Sequence, residues 1–413
     1  MTTPTTRAEC QQLDFGDPLA EFRAEFVLPD GVIYLDGNSL GALPRVAKER
    51  VRETVEDEWG QGLIRSWNTA GWFDKPAVLG DRLAPLIGAG PGEVVVCDST
   101  SINLFKVVIS ALRMRPHRKV VVAESASFPT DLYVMAGATG LLDGYQRRLV
   151  GQDGQQLEDV LDDDVAVVVL NHVDYRTGHL HDMAEVTARV HEHGALVVWD
   201  LCHSVGALPV RVNECGVDFA VGCTYKYLNG GPGSPAFVFA ASRHHDAIDQ
   251  PLSGWHGHAA PFDFTIDYQP APGIDRFRSG TPQLVSYAAL EASLGIWERV
   301  DLDALRAKSQ AMVSLFTDLV EQQCAGFGVE IVSPRGTGGS QVALRHADGY
   351  AVMCALIDRG VIGDFRAPDL MRFGFTPLYL QYVDVWDAVQ ALREVLATES
   401  WRHSRYASRA TVT

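Results

Sequence analysis

Between residues 92 and 240 one pattern recurs: a short apolar run, a polar turn, then a stretch with helical spacing. The runs at 94–96, 120–123, 166–170, 195–199 and 219–221 contain only Val, Ala, Leu, Phe and Trp. Runs this continuously apolar suit strands buried on both faces, as in a mainly parallel sheet covered by helices. The covers are read at 102–114, in the loop-and-helix stretch at 124–131, and at 181–192. The run at 237–240 closes the series and is expected to return antiparallel. The fold class that follows is α/β, a three-layer αβα large domain with a mainly parallel sheet.

The flanks read differently. Residues 1–30 resemble a helical arm, with Leu19, Phe22 and Phe26 at helical spacing. A short strand at 32–35 breaks at Asp36-Gly37-Asn38-Ser39-Leu40-Gly41, and Pro44 starts a helix running to about Trp59. Residues 60–76 are aromatic and aperiodic, which predicts a loop, and Trp59, Trp67 and Trp72 lie in or beside it. After about residue 283, helices at 284–300, 305–321, 350–359 and 383–398 mix with strands at 329–332, 341–344 and 370–374. This predicts a small α+β C-terminal domain, with the last dozen residues frayed. The expected division is an arm at 1–60, a large domain at 61–282 and a small domain at 283–413.

Charge narrows the partners. A net charge of −17 argues against general attraction to nucleic acid or an anionic membrane. There is no apolar run long enough to span a bilayer and no apolar signal core at the N-terminus. Seven cysteines without a CxxC pair suit reduced thiols and a cytoplasmic protein. Asp200-x-x-His203 lacks the further ligands of a metal centre, so no metal is expected, and His181, His191 and His193 read as mostly solvated.

The chemistry gathers at the ends of the apolar runs, where parallel sheets bind ligands. Lys226 follows the run at 219–221 and precedes Gly230, Gly231 and Gly233. Lysine is costly to bury unpaired, and a covalent link to an aldehyde cofactor would account for its place. Asp200 ends its run, with His203 three residues on; a carboxylate there could keep a pyridine nitrogen protonated. Thr100 and Ser101 open a helix, either as a phosphate cradle or as an ordinary cap by Ser99 or Thr100. In Phe128-Pro129-Thr130-Asp131 the ring could stack on a cofactor, or be a buried Phe beside a capping Asp. Arg278-Ser279-Gly280-Thr281-Pro282 is a polar turn suited to an anion. Arg372, in an apolar strand, is either a structural ion pair or a carboxylate clamp. In this order the set suits one aldehyde-bearing aromatic phosphate, whereas the glycine turn fits neither the GxGxxG nor the GxxxxGK[ST] spacing.

These residues resemble the pyridoxal-phosphate enzymes of fold type I, the aspartate aminotransferase superfamily, and within it the kynureninases. The matching segments are Tyr34 with the turn 35–41, Trp59-Gly60, Phe128-Pro129-Thr130-Asp131, Asp200-Leu201-Cys202-His203 and Thr224-Tyr225-Lys226-Tyr227-Leu228-Asn229. Trp255, the segment 276–282, and Arg372 followed by Pro377-Leu378-Tyr379 complete the match. The resemblance implies Lys226 as the Schiff-base residue, Asp200 and Asp131 at the pyridine nitrogen, Phe128 on the ring, and His203 and Asn171 around it. It implies Thr100, Ser101, Tyr225, Trp255 and Thr281 for the phosphate and its surroundings, the last two across a homodimer interface that shares active sites. It places Arg372 on the substrate's α-carboxylate, Ser39 and Trp67 in an aryl-ketone pocket, and Tyr225 as a proton relay. The implied reaction cleaves kynurenine to anthranilate and alanine. Ser101, Thr281 and Trp67 stand where eukaryotic members carry Thr, Asn and His, and kynurenine is the expected substrate over its 3-hydroxy form.

Three rival readings differ in class. A cysteine desulfurase or aminotransferase would share the fold, but a desulfurase needs a mobile loop cysteine, and Cys324 and Cys354 lie outside such motifs. A non-catalytic member of the fold would have no need to keep Lys226, Asp200 and Arg372 together. A dinucleotide oxidoreductase would need a glycine fingerprint.

Overall fold

The computed structural model describes residues 4–151, 155–406 and 408–409. The apolar runs become Val94–Val96 (β1), Val120–Glu124 (β2), Val165–Asn171 (β4), Leu196–Asp200 (β5), Phe219–Gly222 (β6) and Phe237–Ala240 (β7), and a further strand, Gln146–Val150 (β3), joins them. They form one seven-stranded sheet in the order β1-β7-β6-β5-β4-β2-β3. β7 runs against β1 and β6, while β2 to β6 pair in parallel. Every residue of β1, β4, β5, β6 and β7 is buried, which is why their composition alone marked them as strands.

β3 was not anticipated. Its sequence, Gln-Arg-Arg-Leu-Val, carries no apolar run. It is the sheet's edge, paired only with β2, and an edge strand can leave charged side chains in water. At the other edge, the helix Lys75–Leu83 comes within contact of β1 through Gly80, where a Cβ would stand 2.1 Å from the Val94 carbonyl oxygen.

A second sheet is made by Glu330–Ile331 (β8), Gln341–Arg345 (β9), Asp364–Arg366 (β10) and Leu370–Gly374 (β11), in the order β8-β9-β11-β10, all antiparallel. The N-terminal arm is tied to this part of the molecule. Ile33–Tyr34 pairs in parallel with Val361–Ile362, and Asp36 bridges to Gly374. Asp14 caps the final helix, Tyr382–Ala397, by accepting from the Tyr382 and Val383 amides. A buried Lys308–Asp17 ion pair at 2.6 Å adds a second tie.

Several local expectations need correction. The arm is a helix only at Arg7–Phe15; Ala20–Glu25 is a tight 3-10 turn and Phe26–Val27 a strand, although Leu19, Phe22 and Phe26 are all buried. The helix after Pro44 runs as Arg45–Glu53 and continues as a π-helix over Thr54–Gly62. Residues 60–76 are therefore not a loop: the turns Leu63–Arg65 and Ser66–Thr69 follow. They are pinned through Glu58, whose carbonyl accepts from Ser66 at 2.6 Å and whose carboxylate accepts from the Trp72 indole at 2.7 Å. Tertiary hydrogen bonds, not an apolar period, set this segment. In the last dozen residues, Tyr406 is buried and its hydroxyl donates to Asp358 at 2.8 Å, so that part is docked; 407 and 410–413 lie outside the described residues. His181 is half-buried and meets Glu124 at 3.2 Å, whereas His191 is exposed, as expected, while meeting Asp218 at 2.8 Å. No helix among the described residues is long and apolar enough to cross a membrane.

Candidate active site

The carboxyl ends of β1, β2, β4, β5 and β6 open on one cavity of about 200 Å³. Its lining includes Thr100, Ser101, Phe128, Thr130, Asp131, Asn171, Asp200, His203, Tyr225 and Lys226. Register puts them there: Asn171 and Asp200 are ladder partners at the ends of β4 and β5.

Lys226 sits on a tight turn. Its carbonyl accepts from the Asn229 amide at 2.9 Å, and Asn229 adopts φ +58°. The N-terminal turn packs directly onto it: the Gly41 amide donates to the Tyr225 carbonyl at 2.8 Å. A Cβ on Gly41 would lie 2.3 Å from the Lys226 carbonyl oxygen, so only glycine allows this approach.

The Lys226 amine meets His203 Nε2 at 2.9 Å. His203 Nδ1 meets Gln341 Oε1 at 3.1 Å, while Gln341 Nε2 donates to the carbonyls of Asp174 and Tyr175. The amide's donor end is thus committed, so Nδ1 carries the imidazole proton and Nε2 accepts from the lysine. Burial, then the Lys226 charge, holds His203 well below its ordinary value, so the ring is neutral.

On the cavity floor two carboxyls share a site. Asp131 accepts from Asn171 Nδ2 at 2.6 Å, and Asp200 accepts from the Cys202 amide at 2.6 Å. Both are buried. Burial, then the Asp200 charge, raises Asp131 well above the usual carboxylate range.

Ser99 is the helix cap, its oxygen accepting from the Ile102 amide at 3.5 Å, which leaves Thr100 and Ser101 facing the cavity. Phe128 is 40% exposed, so it is not a buried core ring; it meets Tyr175 edge-on at 5.1 Å and has the Lys226 amine 6.0 Å from its centroid. Its amide donates to Asn171 at 2.8 Å, and Asp131 is turned to Asn171 rather than acting as a cap. Pro129 opens the helix Pro129–Gly140 beside the cavity without lining it.

Five anticipated residues lie elsewhere in the single chain. Arg372 is fully buried and forms an ion pair, its Nε donating to Asp364 at 2.8 Å and its Nη2 meeting the second carboxylate oxygen. Ser39 belongs with it: its hydroxyl donates to Asp364 at 2.7 Å and accepts from Arg372 at 3.0 Å. Trp67 instead packs on Trp72, Trp255 and His256, so Ser39 and Trp67 do not form one pocket in this chain. Trp255 lines a separate surface hollow of about 340 Å³ with Phe264, Ile266 and Tyr268. Thr281 lines a narrow cleft with Asp98 and Arg278. Conversely, Tyr175 and Cys202 line the lysine cavity, and Gln341, Asp364 and Arg366 stand behind it, though the sequence alone assigns none of them a role. The acid–apolar–base alternation at 364–366 was the available signal, since residues two apart in a strand share a face.

The donor set fits pyridoxal phosphate: a pair of acids for the pyridine nitrogen, an aromatic face, an amine for the aldehyde, and a hydroxyl-bearing helix start for the phosphate. An αβα sheet with this constellation at its carboxyl edge defines the fold-type-I class of pyridoxal-phosphate enzymes. The comparisons agree and go further. The family model for the kynureninase C-terminal domain matches residues 305–392. A kynureninase of Burkholderia pseudomallei is 54% identical over 415 residues, covering 99% of this chain and 100% of that protein. One from Pseudomonas fluorescens is 52% identical over 416 residues, with the same coverage. The chain belongs to the kynureninase family. Solved structures share the fold at lower identity: the cysteine desulfurase CsdA from Escherichia coli has a TM-score of 0.77 at 18% identity, covering 92% of this chain and 98% of that one. A cysteine desulfurase from Thermococcus onnurineus has 0.77 at 20%, with the same coverage.

Proposed function

We propose that this protein hydrolyses the Cβ–Cγ bond of L-kynurenine to give anthranilate and L-alanine, and takes 3-hydroxykynurenine less well. The observation that carries the reading is 54% identity to a kynureninase over 99% of a chain whose lysine cavity gathers the expected residues. When bound, pyridoxal phosphate supplies an electron sink for the carbanion character that develops on the substrate.

The chain's residues do the rest. Lys226 would hold the cofactor through its aldehyde, and its amine is the base placed to move the proton at the substrate's α-carbon. Neutral His203 holds the Lys226 amine toward the cavity by accepting from it. Asp200 and Asp131 would hold the pyridine nitrogen and favour its protonated form, with Asn171 orienting Asp131, and Phe128 would supply an aromatic face for the ring. Thr100 and Ser101, with the helix start, would hold the phosphate. Tyr225 relays the proton as water adds to the γ-carbonyl: neighbouring Cys223, then burial, pushes its phenol above the ordinary value, so it enters as a donor. Arg372 receives the α-carboxylate.

Trp255, Thr281 and Trp67 act across a homodimer interface, the first two on the partner's phosphate and the third on the aryl ring. This is supported by an exposed aromatic surface around Trp255 that includes Phe262 (66% exposed) and Phe264 (85%). The protein works in the cytoplasm, in tryptophan catabolism or on the route to NAD. We divide it into an arm at 1–60, a large cofactor domain at 61–282 and a small domain at 283–413.

Purified protein given kynurenine is expected to release fluorescent anthranilate, and Lys226→Ala to lose both turnover and the visible absorbance of the lysine-bound cofactor. Sulfide release from cysteine without anthranilate would replace this reading by the desulfurase one.

A further inference from the structure

Behind the lysine cavity, Arg366, Arg372, Asp364 and Asp36 gather around Ser39. Arg372 has five N–H groups to place. Its Nε edge meets both oxygens of Asp364, while its outer edge touches only neutral oxygens, the Ser39 hydroxyl at 3.0 Å and the Tyr175 carbonyl. Arg366 donates through Nη2 to Asp364 at 2.7 Å and to Ser39 at 3.3 Å. Its Nε is buried and has no acceptor. An unmet buried donor is costly and marks where an acceptor belongs.

Charge points the same way. Two guanidiniums share the single carboxylate of Asp364. The other nearby acid, Asp36, has one buried carboxylate oxygen without a partner and is pushed up to about 7 by burial and then by Asp364. Below that value it adds no negative charge, and the cluster keeps one excess positive charge. The cluster is wired to the reacting amine. The Tyr175 carbonyl accepts from Arg372 and from Gln341 Nε2 at 3.0 Å, and Gln341 holds His203, which holds Lys226.

We infer that Arg366 is a second cation of the substrate-carboxylate site, acting with Arg372 and Ser39, and that Asp364 is the positioning residue that holds both guanidiniums in place. The inference rests on the reading that Arg372 receives the α-carboxylate. An incoming carboxylate replaces the neutral oxygens on the outer edge of Arg372, meets the free Nε of Arg366 and balances the charge.

The test uses holoenzyme carrying Arg366→Gln, Arg366→Lys or Arg372→Gln. It compares KM for kynurenine with the inhibition constant of kynurenine's decarboxylated analogue, and cofactor absorbance reports an intact site. Arg366→Gln is expected to raise KM about tenfold or more, the loss of a charge-assisted hydrogen bond, while the amine's constant moves less than about twofold. Arg366→Lys is expected to recover part of the loss. An unchanged KM, or KM and the amine's constant rising together, would overturn the inference. If Arg372→Gln also leaves discrimination for the carboxylate intact, the Arg372 reading itself falls. If Arg372→Gln abolishes that discrimination and Arg366→Gln does not, the Arg366 assignment alone falls.

Discussion

Lys106 is completely buried behind the helix start that carries Thr100 and Ser101. Its amine donates to Asp98 and to the Phe277 carbonyl, the latter at 2.6 Å. Asp98 stands at φ +46°, in the left-handed region where a non-glycine residue costs about 1–2 kcal/mol. The ion pair holds that residue in place, and Ser99, Thr100 and Ser101 follow it at once. Lys106→Met nearly conserves volume, so the change removes charge and two hydrogen bonds without opening a large cavity. Removing one partner of a buried ion pair costs about 3–5 kcal/mol. Asp98 is 24% exposed at its side chain and can regain water, which places the expected loss at the low end, about 3 kcal/mol. Once released, Asp98 can leave the left-handed region and shift the helix start. The dissociation constant of pyridoxal phosphate is expected to rise about tenfold, equivalent to about 1.4 kcal/mol. Urea unfolding of parent and variant measures the first quantity, and cofactor titration of the stripped proteins followed by absorbance measures the second. A stability loss under about 1 kcal/mol would refute the ion-pair argument. A full loss with unchanged cofactor affinity would refute the claim that Asp98 sets the phosphate end.

Asp131 has a folded pKa raised by burial and then by Asp200, so its contribution to the cofactor-free fold is complete below the ordinary carboxylate value, about 4, and is lost as pH rises through the raised value. Cofactor-free Asp131→Asn should therefore match the parent's thermal midpoint in acid and exceed it increasingly as pH rises; parallel curves would sink the argument. Asp36, at about 7, ionises as pH rises through neutrality and offsets the positive charge of Arg366 and Arg372. KM for kynurenine should climb with pH in the parent and stay flatter in Asp36→Asn, and identical profiles would remove Asp36 from the carboxylate site. In Gly41→Ala the new Cβ would press on backbone, 2.3 Å from the Lys226 carbonyl oxygen and 2.8 Å from Asn229 Cα, so the lysine turn must move. A displacement of this kind costs on the order of a hundredfold in kcat, measured while circular dichroism reports an intact fold.

The central strands were legible because they are buried on both faces. A run such as Val165–Asn171 has no solvent side to encode, so composition alone identifies it. β3 obeys another rule: Arg147 and Arg148 reach the carbonyls of Leu132 and Val160, contacts that no local pattern announces. The segment after Trp59 failed for a related reason. Its helical turns are held by Glu58 through Ser66 and Trp72, residues eight and fourteen positions away, and not by a repeating apolar face.

The lysine cavity was legible for a reason peculiar to parallel sheets. Each strand contributes at or just past its carboxyl end, so Thr100, Phe128, Asn171, Asp200 and Lys226 can be found by locating five strand ends. The carboxylate cluster follows no such rule. Ser39 and Asp364 are 325 positions apart and meet only because the N-terminal turn packs against the small sheet. Arg372 could be read from sequence as a clamp or as an ion pair; the structure makes it an ion pair through one edge, and on the proposal above its other edge remains for the ligand. Trp67, Trp255 and Thr281 are a third case, since their own chain keeps them out of the lysine cavity. On the proposed dimer, the groups that bind and activate the cofactor's reactive end come from one chain, whereas the choice of an aryl ketone takes two. The first set can be found from strand ends. The second has only the exposure of its aromatic surface to mark it, which is why selection among reactions of this fold is harder to read than the cofactor itself.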